Sequence, residues 1–132
     1  MLNVLLVSVR TEDLSLFVKT LNDDPGVRLE VLPTGEAALD RIRRNPPDLA
    51  VIDQELPDMF ALDLTARIVA SNPMVNTAVV SPLSEAAFHE ASEGLGVLAK
   101  LQPMPTAQDG RELLVRLRQV TAPFPAPGAQ GE

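Results

Sequence analysis

The chain has 132 residues, which fits one domain with a single hydrophobic core, and 45% hydrophobic and 22% charged residues are typical of a globular protein. A net charge of −7 with only two lysines argues against a nucleic-acid surface, and no apolar run approaches the ~20 residues of a membrane span. The absence of cysteine excludes disulfides, thiol chemistry and cysteine-ligated metal ions.

Five short apolar stretches predict strands. Residues 49–52 are continuously apolar, as in a strand buried on both faces of a parallel sheet, whereas the second stretch alternates apolar and polar residues as an edge strand does. In chain order, the strands are predicted at residues 3–9, 27–31, 48–53, 77–81 and 97–101.

A stretch with apolar residues at helical spacing follows each strand. Thr11 is expected to cap the first helix, with Glu12 and Asp13 in its first turn as partners of the helix dipole. The later helices are predicted after Thr34, from Ala61 to Ser71, after Ser84 as far as Gly94 or Gly96, and after Thr106 or Asp109.

This alternation of strands and helices indicates a parallel sheet with helices on both faces. Residues 1–120 are predicted to form this domain. Residues 121–132 are rich in proline and glycine and are predicted to be a disordered tail or a linker. Because Met1 leads directly into an apolar strand without a signal-peptide pattern, we expect a cytoplasmic protein.

The third strand ends in a carboxylate, Asp53, and Pro57 then forces a loop. Open α/β sheets place their functional sites at the carboxyl ends of such strands. On spacing alone, an aspartate that only caps the next turn is equally compatible with this position.

Residues 1–120 resemble the receiver domain of bacterial two-component response regulators. The motif Asp53-Gln-Glu-Leu-Pro-Asp-Met59 is similar to that family's phospho-acceptor aspartate and the Leu-Pro-x-Met loop after it. The resemblance implies an α/β fold, a flavodoxin-like three-layer (βα)5 sandwich whose parallel five-stranded sheet has the order 2-1-3-4-5. It also implies an aspartate that accepts a phosphoryl group beside a divalent cation.

Two further positions of the family's site have candidates. The hydroxyl that contacts phosphate falls on Ser81, at the end of the fourth strand. Lys100 is a second phosphate-contacting candidate, although it lies two residues before the position of the family's lysine. That offset keeps a side chain on the same strand face but moves it ~6–7 Å along the strand.

Other positions depart from the family's pattern. The acidic pair that holds the cation falls on Ser8 and Val9, and the lysine falls on Gln102. The aromatic residue of the family's switch falls on Ala99 or a neighbour. Glu55 is the remaining candidate for a carboxylate metal ligand from the loop, although an exposed side chain is the simpler interpretation.

We therefore expect a receiver-like signalling module, not an enzyme, that acts by protein–protein contact, with impaired or absent Mg²⁺-dependent phosphorylation of Asp53. The resemblance implies an interaction face built by the fourth helix, fifth strand and fifth helix, with contributions from Phe88, Leu101 and Met104. The alternatives are a functional phospho-acceptor that uses Asp53, and a flavodoxin-like small-molecule-binding protein or enzyme.

The expected partners are a sensor kinase or another signalling protein, an output domain beyond Glu132, and a second copy of the chain through the same interaction face. No cofactor is expected, except Mg²⁺ if Asp53 is a functional acceptor. Neither nucleic acid nor a membrane is expected to bind this domain. His89, the single histidine, has no partner at metal-ligand spacing and is interpreted as a solvated or partly packed side chain.

Overall fold

Five strand–helix pairs follow one another in the computed structural model, which describes residues 1–121. The elements are β1 (Leu2–Val7), α1 (Ser15–Asp23), β2 (Val27–Leu32), α2 (Gly35–Arg44), β3 (Leu49–Ile52), α3 (Ala61–Ser71), β4 (Asn76–Val80), α4 (Glu85–Ala91), β5 (Ala99–Leu101) and α5 (Ala107–Thr121). Thr121, predicted to belong to the tail, lies in α5, and the rest of the predicted tail lies outside the described residues.

All five strands are parallel and lie in the order β2-β1-β3-β4-β5. The predicted flavodoxin-like fold and strand order are therefore confirmed. Because the strands are parallel, the loops that follow β1, β3, β4 and β5 share one edge of the sheet, called the carboxyl edge below.

Alternating side chains of the central strands supply two separate core layers, since successive residues of a strand point to opposite faces. One layer includes Leu5, Val7, Ile52, Ile42, Ile68 and Phe88, from β1, β3, α2, α3 and α4. The other includes Val4, Leu6, Val51, Phe17, Leu21 and Leu117, from β1, β3, α1 and α5. None of the described helices is long and apolar enough to cross a membrane.

Helix α1 begins later than predicted. Its N-cap is Leu14, which has no side-chain capping bond, and residues 11–14 form a turn closed by the Leu14 N–H on the Arg10 carbonyl oxygen (3.2 Å). The predicted cap at Thr11 is wrong, and Glu12 and Asp13 lie before the helix. The physical reason is that hydrogen bonds from Ser8 and Arg10 to Asp53 hold this segment at the carboxyl edge, so the helix starts only after the turn of residues 11–14.

The predicted caps of three later helices are found in the structure. Thr34 and Ser84 each accept the backbone N–H of the third residue of their helix, at 3.0 and 3.1 Å. At α5, Thr106 accepts the Asp109 N–H (3.1 Å), and the Asp109 carboxylate accepts the Thr106 N–H (2.8 Å). The two alternative caps therefore act together, as a reciprocal capping box.

Helix α4 is shorter than predicted. It ends at Ala91, and the two glycines expected to stop it lie in the connection beyond, where Gly94 has φ 85° and Gly96 has φ 65°. These left-handed conformations favour glycine, since a Cβ atom would strain the backbone there. The glycines therefore shape the connection to β5 and do not end the helix.

Candidate functional site

Asp53 directly follows β3 in the middle of the carboxyl edge. Its backbone N–H donates to the Val7 carbonyl oxygen (3.0 Å), which continues the pairing of β3 with β1 by one residue. The whole residue is buried, with 0% exposure. A carboxylate at such a position needs hydrogen bonds and a counter-charge, because burial removes the water that would stabilise it.

Both carboxylate oxygens of Asp53 are held by donors from the protein. Oδ2 accepts the hydroxyl of Ser8 (2.7 Å) and Nε of Arg10 (2.9 Å). Oδ1 accepts Nη2 of Arg10 (2.7 Å) and the backbone N–H of Gln54 (2.8 Å). Arg10 thus binds Asp53 in a bidentate, charge-assisted geometry, which is the stronger class of hydrogen bond.

Arg10 is the functional residue that the sequence analysis did not identify. Its side chain is only 23% exposed, and Nη2 also donates to the carbonyl oxygen of Pro103 (3.0 Å). Nη1 lies 3.4 Å from the exposed carboxylate of Asp13. The hydrogen bond to Asp53 raises the pKa of the Arg10 guanidinium above its ordinary value. The sequence signal that could have identified it is a basic residue directly after the first predicted strand, residues 3–9.

The two positions of the family's acidic pair have different roles here. Ser8 is buried and donates to Asp53, while its hydroxyl oxygen accepts the backbone N–H of Arg10 (2.9 Å). Val9 is 55% exposed. Only one of these two side chains therefore contacts the acceptor position, and it does so as a neutral donor.

Gln102, which occupies the position of the family's lysine, binds a residue other than Asp53. The Gln102 side-chain amide donates to the Asp109 carboxylate (2.7 Å) at the start of α5. Partial burial alone would raise the pKa of Asp109, but hydrogen bonds from Gln102 and Thr106 hold it below its ordinary value. Gln102 therefore supports the α5 capping box.

The two phosphate-contacting candidates are not among the hydrogen-bond partners of Asp53 within residues 1–121. Ser81 is 7% exposed at the end of β4, next to β3, and its hydroxyl oxygen accepts the Leu83 N–H (3.2 Å). Lys100 lines a cleft beside α4. Ser81 lies at the carboxyl edge near Asp53, whereas Lys100 precedes the end of β5.

Glu55 is exposed, and its backbone forms an isolated antiparallel bridge with Phe60. Across residues 1–121, no group of three or more His, Cys, Asp or Glu side chains is arranged to hold a metal ion. In the described residues, the charge of Asp53 is offset by a guanidinium.

The loop after β3 is anchored on α2. The Asp58 carboxylate accepts the backbone N–H groups of Gly35 and Glu36, both at 2.9 Å, at the helix N-terminus. The bond from Gly35 is the main cause that lowers the pKa of Asp58. Met59 packs so closely on Gly35 that a Cβ atom at this position would clash with the Met59 side chain.

The predicted interaction face needs a correction. Phe88 and Leu101 are each only 5% exposed, because they pack in the two core layers, although Phe88 also lines the cleft beside α4. Met104 is 59% exposed. A cleft of about 440 Å³ lies between α4, the segment leading into β5, and α5, with Glu85, His89, Lys100 and Arg116 among its lining residues.

Several solved structures resemble this fold. The Francisella response regulator 1452 receiver domain matches with a TM-score of 0.79 and 16% identity, covering 92% of this chain and 100% of that one. The receiver domain of a putative LuxO repressor from Vibrio parahaemolyticus matches with a TM-score of 0.78 and 22% identity, covering 89% and 91%. A putative response regulator from Chloroflexus aurantiacus matches with a TM-score of 0.76 and 20% identity, covering 92% of this chain and 98% of that one.

Parts of longer curated proteins resemble this sequence. A protein-glutamate methylesterase/protein-glutamine glutaminase from Syntrophus aciditrophicus is 35% identical over 115 residues, which cover 83% of this chain and 32% of that protein. The transcriptional regulatory protein CreB of Escherichia coli is 26% identical over 104 residues, covering 76% and 45%. Regulatory protein LuxO of Vibrio vulnificus is 36% identical over 50 residues, covering 38% and 11%.

The chain spans less than half the length of these curated proteins. No family model matches it. The structural neighbours and these relatives together confirm the resemblance to response regulator receiver domains that the sequence analysis stated.

Proposed function

We propose that this chain, which has the fold of a response regulator receiver domain, is a signalling module of a two-component (phosphorelay) system that acts by protein–protein contact. In this proposal, Mg²⁺-dependent phosphorylation of Asp53 is impaired or absent. The module has no enzymatic activity of its own. Its partners are a sensor kinase or another signalling protein, and an output domain beyond Glu132.

The observation that carries this proposal is that both oxygens of the Asp53 carboxylate are already hydrogen-bonded to protein donors. Each of its oxygens accepts two hydrogen bonds from the protein, and the nearest cation is the guanidinium of Arg10. A carboxylate must offer one oxygen to the incoming phosphorus atom, and phosphoryl transfer depends on a correctly placed cation. The four bonds to both carboxylate oxygens and the adjacent guanidinium support the proposal, because a phosphoryl group and a metal ion would have to compete with them.

The chemistry of Mg²⁺ supports the same proposal. This ion requires a near-octahedral set of oxygen ligands and usually takes one or two carboxylates from the protein. Within residues 1–121, the acidic side chain that contacts this site besides Asp53 is Asp13, whose side chain is 56% exposed and pairs with Arg10. A divalent cation would therefore have to displace a bidentate guanidinium and tolerate its positive charge nearby.

Acetyl phosphate tests this proposal directly. The chain is incubated with acetyl phosphate and Mg²⁺, and its intact mass is measured beside the Asp53→Asn variant. We expect little or no adduct of about 80 Da, the mass of one phosphoryl group. An efficient adduct in the wild-type chain that is missing in Asp53→Asn would contradict the proposal.

A separate variant is needed to test whether a partner protein binds the chain without phosphorylation. Asp53→Ala would leave the Arg10 guanidinium without its main acceptor, so a lost interaction could reflect local damage. Asp53→Asn keeps an oxygen acceptor and removes the charge. A kinase or output partner that binds Asp53→Asn as well as wild type would support the proposal, and loss of binding on this change would argue against it.

A functional phospho-acceptor remains the second candidate, because Ser81 lies at the same edge of the sheet on the strand next to Asp53. This alternative requires Arg10 to move away when a cation binds. Titration with Mg²⁺ or Mn²⁺, followed by the NMR signals of Asp53 and Ser81, separates the two candidates. Saturable changes confined to these residues would favour the acceptor, and an unchanged spectrum would favour the contact-based module.

A further inference from the structure

Arg10 contacts two loops that lie on opposite sides of β4. Its Nε and Nη2 atoms bind Asp53 at the end of β3, at 2.9 and 2.7 Å. The same Nη2 atom binds the carbonyl oxygen of Pro103, in the loop between β5 and α5, at 3.0 Å. Since β4 separates β3 from β5 in the sheet, this one side chain spans the carboxyl edge.

The backbone of Arg10 is fixed by the same group of residues. Its N–H donates to the Ser8 hydroxyl, which in turn donates to Asp53. Its carbonyl oxygen accepts the N–H of Leu14 just before α1. Both the backbone and the guanidinium of Arg10 are therefore positioned relative to Asp53, which distinguishes this pair from a mobile surface ion pair.

No other side chain in the described residues performs this connection between Asp53 and the loop after β5. Gln102 is bound to Asp109 and supports the start of α5. Lys100 lines the cleft beside α4. The loop of residues 102–106, which carries the exposed Met104, is therefore connected to Asp53 through the Arg10–Pro103 bond.

We propose that Arg10 is a positioning residue that holds the loop of residues 102–106 against Asp53 in one fixed conformation, without a metal ion or a phosphoryl group. This inference rests on the proposed function, because it explains how a module without phosphorylation presents a defined surface. The side chain combines a counter-charge for Asp53 with a direct bond to the loop. Met104 is then presented in a constant position.

The planar guanidinium is essential to this role. Arginine presents several N–H donors in a rigid fork, so it can bind a carboxylate with two atoms and a carbonyl with one of them. A lysine ammonium is a point charge and cannot reproduce this fork. Arg10→Lys therefore separates the connection to the loop from simple neutralisation of Asp53.

The test uses two-dimensional NMR of the full 132-residue chain, with labelled methionine methyl groups and backbone amides. The variants are Arg10→Gln and Arg10→Lys. Arg44→Gln is the matched control, since Arg44 is an exposed arginine at the end of α2, on the opposite edge of the sheet. Signals of the β2 amides, far from the loop, report whether each variant remains folded.

In both Arg10 variants, we expect the Met104 methyl and the amides of the loop of residues 102–106 to shift, and amide exchange in the loop to accelerate about 10-fold or more. The control should leave all these signals unchanged. Loop signals identical to wild type in a folded Arg10→Gln variant would overturn the inference. So would full recovery of the wild-type loop signals in Arg10→Lys.

The outcome is independent of the phosphorylation test. An efficient phosphoryl adduct on wild-type Asp53 would overturn the proposed function, whatever the loop signals show. Loop signals that do not depend on Arg10 would overturn the positioning role, even if no adduct forms. The two failures are therefore distinguishable.

Discussion

Asp53 combines complete burial with a full set of hydrogen-bond donors, and its counter-charge comes from a residue 43 positions earlier in the chain. Removing one member of a buried ion pair is costly, because the other charge loses its compensation. Replacing both members by apolar side chains of similar size is often close to neutral. The contribution of the pair can therefore be measured by comparing the free energies of unfolding of single and double variants.

At the scale of this pair, Arg10→Met should lower the free energy of unfolding by about 3 kcal/mol, since it leaves the Asp53 carboxylate buried and uncompensated. The double variant Arg10→Met with Asp53→Leu should be more stable than Arg10→Met alone. Urea unfolding of both variants measures the difference. A double variant less stable than Arg10→Met would contradict the assignment of Arg10 as the counter-charge.

Arg44→Met is the matched control for this experiment. Arg44 pairs with Asp40 at 3.2 Å, but both side chains are more than 60% exposed. Exposed pairs of this kind contribute about 0–1 kcal/mol. The control should therefore change the free energy of unfolding much less than Arg10→Met does.

At the scale of secondary-structure elements, the loop after β3 stabilises a helix that precedes it in the sequence. Asp58 accepts two backbone N–H groups at the start of α2, which also carries Thr34 as its own cap. Two separate side chains therefore satisfy N–H groups that the helix leaves unpaired. This contact couples the position of the Asp53 loop to α2.

Stability should depend on pH through Asp58. The hydrogen bonds from Gly35 and Glu36 lower its pKa in the folded chain, below an unfolded value of about 3.9. Its contribution is therefore fully present above that unfolded value and is lost as the pH falls through the folded-state pKa.

Asp58→Asn should be less stable than wild type at pH 6 by about 0.5–1 kcal/mol, and this difference should shrink towards pH 2. Urea unfolding of both chains across this pH range checks the prediction. A difference that grows with acidity would show that Asp58 does not stabilise the start of α2 as a carboxylate.

At the scale of the whole molecule, the sheet has an apolar layer on each face, so a cavity in either layer should weaken the entire fold. Phe17 is fully buried between α1 and the sheet, whereas its neighbour Leu16 is 63% exposed on the same helix. These adjacent residues have nearly the same helical context and very different environments.

Phe17→Ala should lower the free energy of unfolding by about 3–5 kcal/mol, because it removes buried apolar surface and leaves a cavity. Leu16→Ala should change it by about 0.5 kcal/mol or less. Urea unfolding measures both, and similar slopes in the two variants would show that the transition stays cooperative. Equal effects of the two substitutions would contradict the described packing of α1.

The sequence alone determined the features that depend on local patterns. Apolar periodicity located all five strands and all five helices, and the side chains of Thr34, Ser84 and Thr106 marked helix starts correctly. A continuous apolar run that ends in a carboxylate also placed Asp53 at the carboxyl end of a buried strand. These signals are local, since each depends on residues within a few positions of one another.

Only the tertiary structure decided which side chains meet. Arg10 and Asp53 are far apart in sequence, and Gln102 turned towards Asp109 although it occupies the position of the family's lysine. Phe88 proved to be buried, because helical spacing does not say how deeply a short helix packs. Such outcomes depend on loop paths and side-chain rotamers, which strand and helix periodicity do not encode.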